Sequence, residues 1–140
     1  MGVYSQLFPG DPEQIESICR IVDAQAAEAG FNDRTRYACQ LATAEACENI
    51  IKHGYGTQKT GTIEITATAS RGVLLIELKD NGPPFNPVNS GTPPQLDIEN
   101  PPIGGLGLLI IQRVMDEVAY QRSGSANVLR LLKRGNLPTG

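Results

Sequence analysis

The chain of 140 residues contains no apolar run approaching the about 18 residues needed to cross a bilayer, and no basic-then-apolar leader opens it. A soluble protein of the cytoplasm, without a membrane partner, is the expectation. Positive charge is not in excess either: 12 Lys and Arg stand against 15 Asp and Glu, for a net charge of −3. Such a balance offers no general attraction to a polyanion, so direct nucleic-acid binding is not expected. The three cysteines, Cys19, Cys39 and Cys47, are odd in number and lack Cys-x-x-Cys or metal-ligand spacing, which argues against a disulfide framework and a thiolate metal site. They read as buried thiols in a reducing compartment. There is a single histidine, His53, and no internal repeat.

What is present is enough for one core. A chain of this length buries about two thirds of its unfolded surface and folds without covalent staples, so residues 1–140 are expected to form a single domain. After a short extended opening, YSQLF, a helix is predicted over 12–29, with Asp11 as N-cap, Pro12 at the first helical position and Gly30 as the stop. Ile15, Ile18, Cys19, Val22 and Ala26 recur at helical spacing. A second helix is predicted from the N-cap Asp33 to His53, stopped by Gly54. Two runs, GTIEITATA and GVLLIELKD, alternate or concentrate β-formers around Ser70-Arg71-Gly72 and read as a hairpin. Residues 81–102 hold seven prolines and no Lys or Arg, marking a long loop; such loops in compact domains are usually functional or disordered. A third helix over 105–115 and strands near 117–122 and 127–133 follow, and residues 135–140 read as a flexible tail. Helices and antiparallel hairpins in this order predict an α+β two-layer sandwich, a mixed but mainly antiparallel sheet covered by about three helices.

Three segments carry candidate chemistry. In AEACENIIKHGYG, Glu45, Asn49 and Lys52 fall within roughly 60° of one another on a helix, opposite Cys47, Ile50 and Ile51. Ala38, Leu41 and Ala42 continue this stripe toward the N-terminus, which suits a recess, although Glu and Asn are equally at home on a solvated face. In ELKDNGPPFNP, Asp80-Asn81-Gly82 ends a strand: either a simple turn, or a carboxylate placed to accept from a ligand amine with Gly82 allowing close approach. In IGGLGLLII, glycines open a helix whose first amides suit a phosphate, or serve as a hinge. A Walker loop is excluded because Gly-Lys-Ser/Thr is absent, and a dinucleotide fingerprint because no strand precedes the glycines.

The order of these segments, Glu-x-x-x-Asn on a helix, Asp-x-Gly at a strand end, a long loop and Gly-x-Gly at a helix start, resembles the GHKL ATPases with their Bergerat fold. EACENIIKHGYG, DNGPPFNP and GGLGLLIIQRVMDEVAY look most similar to the anti-sigma factor serine/threonine kinases, over about residues 7–134. The resemblance implies ATP and Mg²⁺ as cofactors, with Asn49 holding Mg²⁺ and Glu45 as the catalytic base toward an acceptor hydroxyl. It implies Asp80 at the adenine amino group, Gly82 beneath the base, the amides of Gly105, Leu106 and Gly107 at the phosphates, and residues 81–103 as an ATP lid. For His53 it leaves orientation of a neighbouring group or helix-end packing. The implied partners are an anti-sigma-factor antagonist as Ser/Thr substrate, a sigma factor as client and a second copy of the chain. A partner-sequestering module without catalysis is the alternative. A sensor histidine kinase domain would need an acceptor histidine elsewhere, since His53 lies in the site helix. Two departures from the family pattern stand out. Pro83-Pro84 occupies the place of a second glycine, and the lid segment carries no basic residue.

Overall fold

The computed structural model describes residues 2–55, 61–84 and 105–135. Among the described residues, five strands form one sheet in the order β1-β2-β3-β5-β4: β1 Gly2–Pro9, β2 Thr62–Ser70, β3 Val73–Asp80, β4 Glu117–Ser123 and β5 Ala126–Arg134. The four pairings among the described residues are all antiparallel. Three helices, α1 Ile15–Glu28, α2 Asp33–Asn49 and α3 Gly105–Val114, accompany it, and the two-layer α+β architecture expected from the pattern of elements is the one found.

Strand alternation explains the layering. On β2, Ile63, Ile65, Ala67 and Ala69 are buried while Thr62, Glu64, Thr66 and Thr68 are only partly covered. On β3 the inward series is Leu74, Ile76, Leu78 and Asp80, and on β5 Asn127, Leu129 and Leu131. Each fully buried Ile or Leu contributes about 1.5–3 kcal/mol of transfer free energy, so the centre of the sheet fixes the register. That register sets Asp80 directly opposite Asn127. Two polar residues thus close the inward rows of neighbouring strands at one end of an otherwise apolar face.

The helices bury Ile18, Val22 and Ala26 from α1, Cys39, Ala42, Ala46 and Cys47 from α2, and Leu108 and Ile111 from α3. Asp11 caps a 3₁₀ turn over Pro12–Gln14, accepting from the Glu13 amide, and α1 follows from it. Gly30 after α1 takes φ +86°, and Gly72 in the β2–β3 turn φ +80°, conformations that glycine alone adopts freely. The N-cap of α2 is Asn32, not Asp33: the Asn32 side chain accepts from the Thr35 amide at 2.9 Å, which places Asp33 in the first turn. The end of α2 also differs from the sequence expectation. After Asn49 the chain widens into a π-helical segment, Ile50–Tyr55. At the end of α3, Lys133 of β5 donates to the carbonyl of Val114 at 2.6 Å, satisfying a terminal acceptor with a cation.

Cys39 and Cys47 are fully buried and free, as expected of core thiols, whereas Cys19 is half-buried at the α1–α2 seam, its thiol donating to the Gln40 carbonyl. Burial raises all three thiols, Cys39 up to about 12, so none is a ready thiolate. Among the described residues, no helix is long and apolar enough to cross a membrane.

Candidate functional site

The last inward position of β3 belongs to Asp80, 6% exposed. Two donors converge on one of its carboxylate oxygens. The Gly82 amide donates to Oδ1 at 2.9 Å, the turn geometry for which Asp before Asn-Gly is suited, and Asn127 Nδ2 donates to the same Oδ1 at 3.0 Å. Gly82 is itself buried, its amide bonded to the carboxylate and its carbonyl accepting from Arg122 Nη1 at 2.9 Å.

One helical turn separates Glu45 from Asn49 on α2, the spacing that stacks side chains on one face. Asn49, the last residue of α2, is 8% exposed, and its Nδ2 is buried without a hydrogen-bond partner. An orphaned buried amide costs about 1–3 kcal/mol, so a plain solvated stripe does not describe this face. The π-helical widening begins at the next residue, and such segments are frequent at functional sites. Glu45 is partly buried. Burial pushes its carboxyl above the ordinary glutamate range, the neighbouring charge of Glu48 adds to this, and Lys52 opposes it.

The first turn of α3 meets this carboxylate. A Cβ built on Gly107 would lie 2.5 Å from Glu45 Oε2, so the glycine lets the Glu45 carboxylate rest against the backbone of α3, and any side chain there would displace it. The amide groups of Gly105, Leu106 and Gly107 belong to the helix start, where no carbonyl of the same helix can accept them. The structure therefore brings Glu45 of α2 into contact with Gly107 of α3 and places Asn49 one turn further along α2. Asp80 and Gly82 lie together at the β3 end. The His53 side chain, the side chain of Leu106, Gly104 and residues 85–103 of the predicted lid fall outside the described residues.

Three residues of this region were not singled out by sequence. Asn127 on β5 touches Asp80, Gly82 and Pro83, and Tyr120 and Arg122 on β4 both donate to its Oδ1. A polar residue in the inward series Asn127, Leu129, Leu131 is the signal that marks Asn127; nothing in the sequence pairs Arg122 with Gly82.

As for the groups this site could hold, the free end of the Asn49 amide fits a hard cation or a phosphate oxygen, since rotating the amide presents either Oδ1 or Nδ2. Among the described residues no group of three His, Cys, Asp or Glu forms a metal cage. Magnesium fits a single amide, because it typically takes one or two protein ligands and completes its shell with phosphates and water.

Comparison with known proteins gives a consistent picture. The family described as "Histidine kinase-like ATPase domain" matches residues 8–133. The serine/threonine-protein kinase BtrW of Bordetella bronchiseptica is 31% identical over 104 residues, covering 72% of each chain. The serine-protein kinase RsbW of Bacillus licheniformis is 26% identical over 125 residues, 86% of this chain and 78% of the relative. Among solved structures, the RsbU and RsbW domains of a Mycobacterium tuberculosis protein superpose with a TM-score of 0.66 at 16% identity, over 99% of this chain and 35% of that one. The catalytic domain of the histidine kinase ThkA gives 0.56 at 14% identity, over 94% and 97%. At these identities the structural matches speak for the fold.

Proposed function

Because the chain belongs to the histidine kinase-like ATPase domain family, we propose that it is an ATP- and Mg²⁺-dependent serine/threonine protein kinase of the anti-sigma type. Its substrate is a serine or threonine on a small anti-sigma-factor antagonist, its setting a cytoplasmic partner-switching circuit with a sigma factor as client. The observation that carries this reading is the contact of the Glu45 carboxylate with the first turn of α3 at Gly107. A base and a set of helix-start amides on adjoining elements are what transfer of a phosphoryl group to a hydroxyl needs.

In this reading residues 1–140 act as one domain, with residues 81–103 as the lid. Asp80 accepts the exocyclic amine of adenine, with Gly82 against the base. The amides of Gly105, Leu106 and Gly107 hold phosphate oxygens. Asn49 supplies the protein ligand for Mg²⁺, which when bound neutralises phosphate charge. Glu45 takes the proton of the acceptor hydroxyl as that oxygen bonds to the γ-phosphorus and the bond to the departing ADP breaks. A second copy of the chain is the proposed homodimer partner, and the exposed Val3 and Leu7 of β1 supply apolar surface for it.

The test is incubation of the purified protein with Mg-ATP and a candidate antagonist, reading phosphoserine or phosphothreonine by mass spectrometry. Stoichiometric incorporation that Glu45→Ala abolishes supports the kinase; nucleotide binding without incorporation on any antagonist overturns it. The absence of Lys and Arg from residues 81–103 favours a second reading, a module that sequesters its partner and uses nucleotide only as a structural ligand.

A further inference from the structure

Asn127 stands at the meeting point of three strands and a turn. Its Nδ2 lies 3.0 Å from Asp80 Oδ1, 2.9 Å from the Pro83 carbonyl and 3.3 Å from the Gly82 carbonyl. Its Oδ1 accepts from the Tyr120 hydroxyl and, at 3.1 Å, from Arg122 Nη1. Chemistry fixes which end of the amide is which. Arginine only donates, so the atom facing Arg122 is the oxygen, and the carboxylate and carbonyls on the other side only accept. The amide has two N–H bonds for three acceptors; the two shorter contacts take them, and the Gly82 carbonyl is served chiefly by Arg122.

The turn after β3 makes such a donor necessary. Pro83 and Pro84 have no backbone N–H, so beyond the Gly82 amide this stretch presents only carbonyls to the β4–β5 hairpin. A side chain that donates on one face and is itself anchored on the other is required to hold both the turn and Asp80. At 5% exposure, Asn127 does this out of water, where a hydrogen bond to a charged group is stronger than one between neutral groups.

We propose that Asn127 is a positioning residue for base recognition: by donating to Asp80 Oδ1 and to the Pro83 carbonyl it fixes both the orientation of the Asp80 carboxylate and the Gly82–Pro83 turn, and so the acceptor presented to the base. The proposal rests on the reading of Asp80 as the acceptor of the adenine amine. It goes beyond that reading in making discrimination between a 6-amino and a 6-oxo purine depend on a residue that does not touch the base.

The experiment is calorimetric titration of the full chain with Mg-ADP and Mg-IDP, for the native protein and for Asn127→Asp and Asn127→Ala, with thermal melts alongside. Asn127→Asp keeps the shape and the contacts with Tyr120 and Arg122 but turns the donor into an acceptor facing Asp80; should it fail to fold, Asn127→Ala carries the test. The native protein is expected to prefer ADP by about 10-fold or more, since an oxo group leaves the carboxylate unpaired. The variants are expected to lose about 10- to 100-fold in ADP affinity and little for IDP, so that the preference collapses. A role confined to stability would lower both affinities together or only the melting temperature. Native preference for ADP that persists in both variants overturns the proposal. No ADP binding by the native protein, or ADP binding that survives Asp80→Ala, overturns the underlying reading of Asp80 and the proposal with it.

Discussion

At the Asp80 end of the site, the polar groups are tied to one another: Asp80, Gly82, Pro83, Tyr120, Arg122 and Asn127 form a continuous hydrogen-bonded set across β3, β4 and β5. At the Glu45 end, on α2 and α3, the polar groups are left open. The Asn49 Nδ2 has no partner, and burial raises the Glu45 carboxyl. Under the proposed function, the difference is one of division of labour. An end that recognises a rigid base gains from being set in advance, whereas an end that handles changing charge keeps unsatisfied groups whose cost a ligand would offset.

The sharpest break in the comparison comes from Glu45→Gln. It keeps size and burial and removes only the ability to take a proton, so phosphotransfer to the antagonist is expected to fall about 10²- to 10⁴-fold while ADP affinity stays within about 3-fold. Single-turnover phosphorylation and calorimetry separate the two. Next in size is Asp80→Asn at the opposite end. Here the Gly82 amide and Asn127 Nδ2 keep an oxygen acceptor only if the new amide points its oxygen at them, which turns its NH₂ toward the base. ADP affinity is expected to drop about 10- to 100-fold, with phosphotransfer at saturating nucleotide much less affected. An Asp80→Asn variant that binds ADP normally but transfers slowly would reverse the assignment of the two ends.

Much of this division was legible in the sequence, and the parts that were not have physical reasons. Alternation in TIEITATA and the glycines at 30 and 72 placed the strands and turns, because a core face and a positive φ leave local marks. Glu45 and Asn49 stood out from the core face by helical angle, but whether water or protein covered them depended on α3, which arrives some sixty residues later. Asn127 carried only the mark of a polar residue in an inward row. Its partners follow from the β3–β5 register, which is set by the sum of core contacts and not by any local motif. The choice between Asn32 and Asp33 as cap was a shift of one residue between two equally good capping side chains.

A smaller effect is expected at Gly107, where the two helices of the open end touch. In Gly107→Ala the new Cβ would stand 2.5 Å from Glu45 Oε2, and the flexible carboxylate, rather than the backbone, gives way. Helix formation alone favours the substitution by roughly 0.5–1 kcal/mol, so the melting temperature is expected to hold or rise slightly. Phosphotransfer is expected to fall about 10-fold because the base is displaced, a positional loss of the size that modest misplacement produces. Unchanged turnover together with a large loss of stability would show that the close approach serves packing and not the position of Glu45.

The finest test is the pH dependence of Glu45. Only the ionised carboxylate takes a proton, and its folded-state value lies above that of an ordinary glutamate. The acid limb of the phosphotransfer profile should therefore fall off at a higher pH than a solvated glutamate would give, and Glu45→Gln should abolish it. Stability runs the opposite way. A carboxyl whose value is raised on folding binds its proton more tightly in the folded state, so its favourable contribution is present at low pH. That contribution is lost as pH rises from the unfolded value through the folded one. Glu45→Gln should accordingly melt at or slightly above the native protein at neutral pH, with the gap closing on acidification. A gap that widens as the pH falls would place the Glu45 carboxylate in a stabilising pair instead, and would remove the contrast between the two ends.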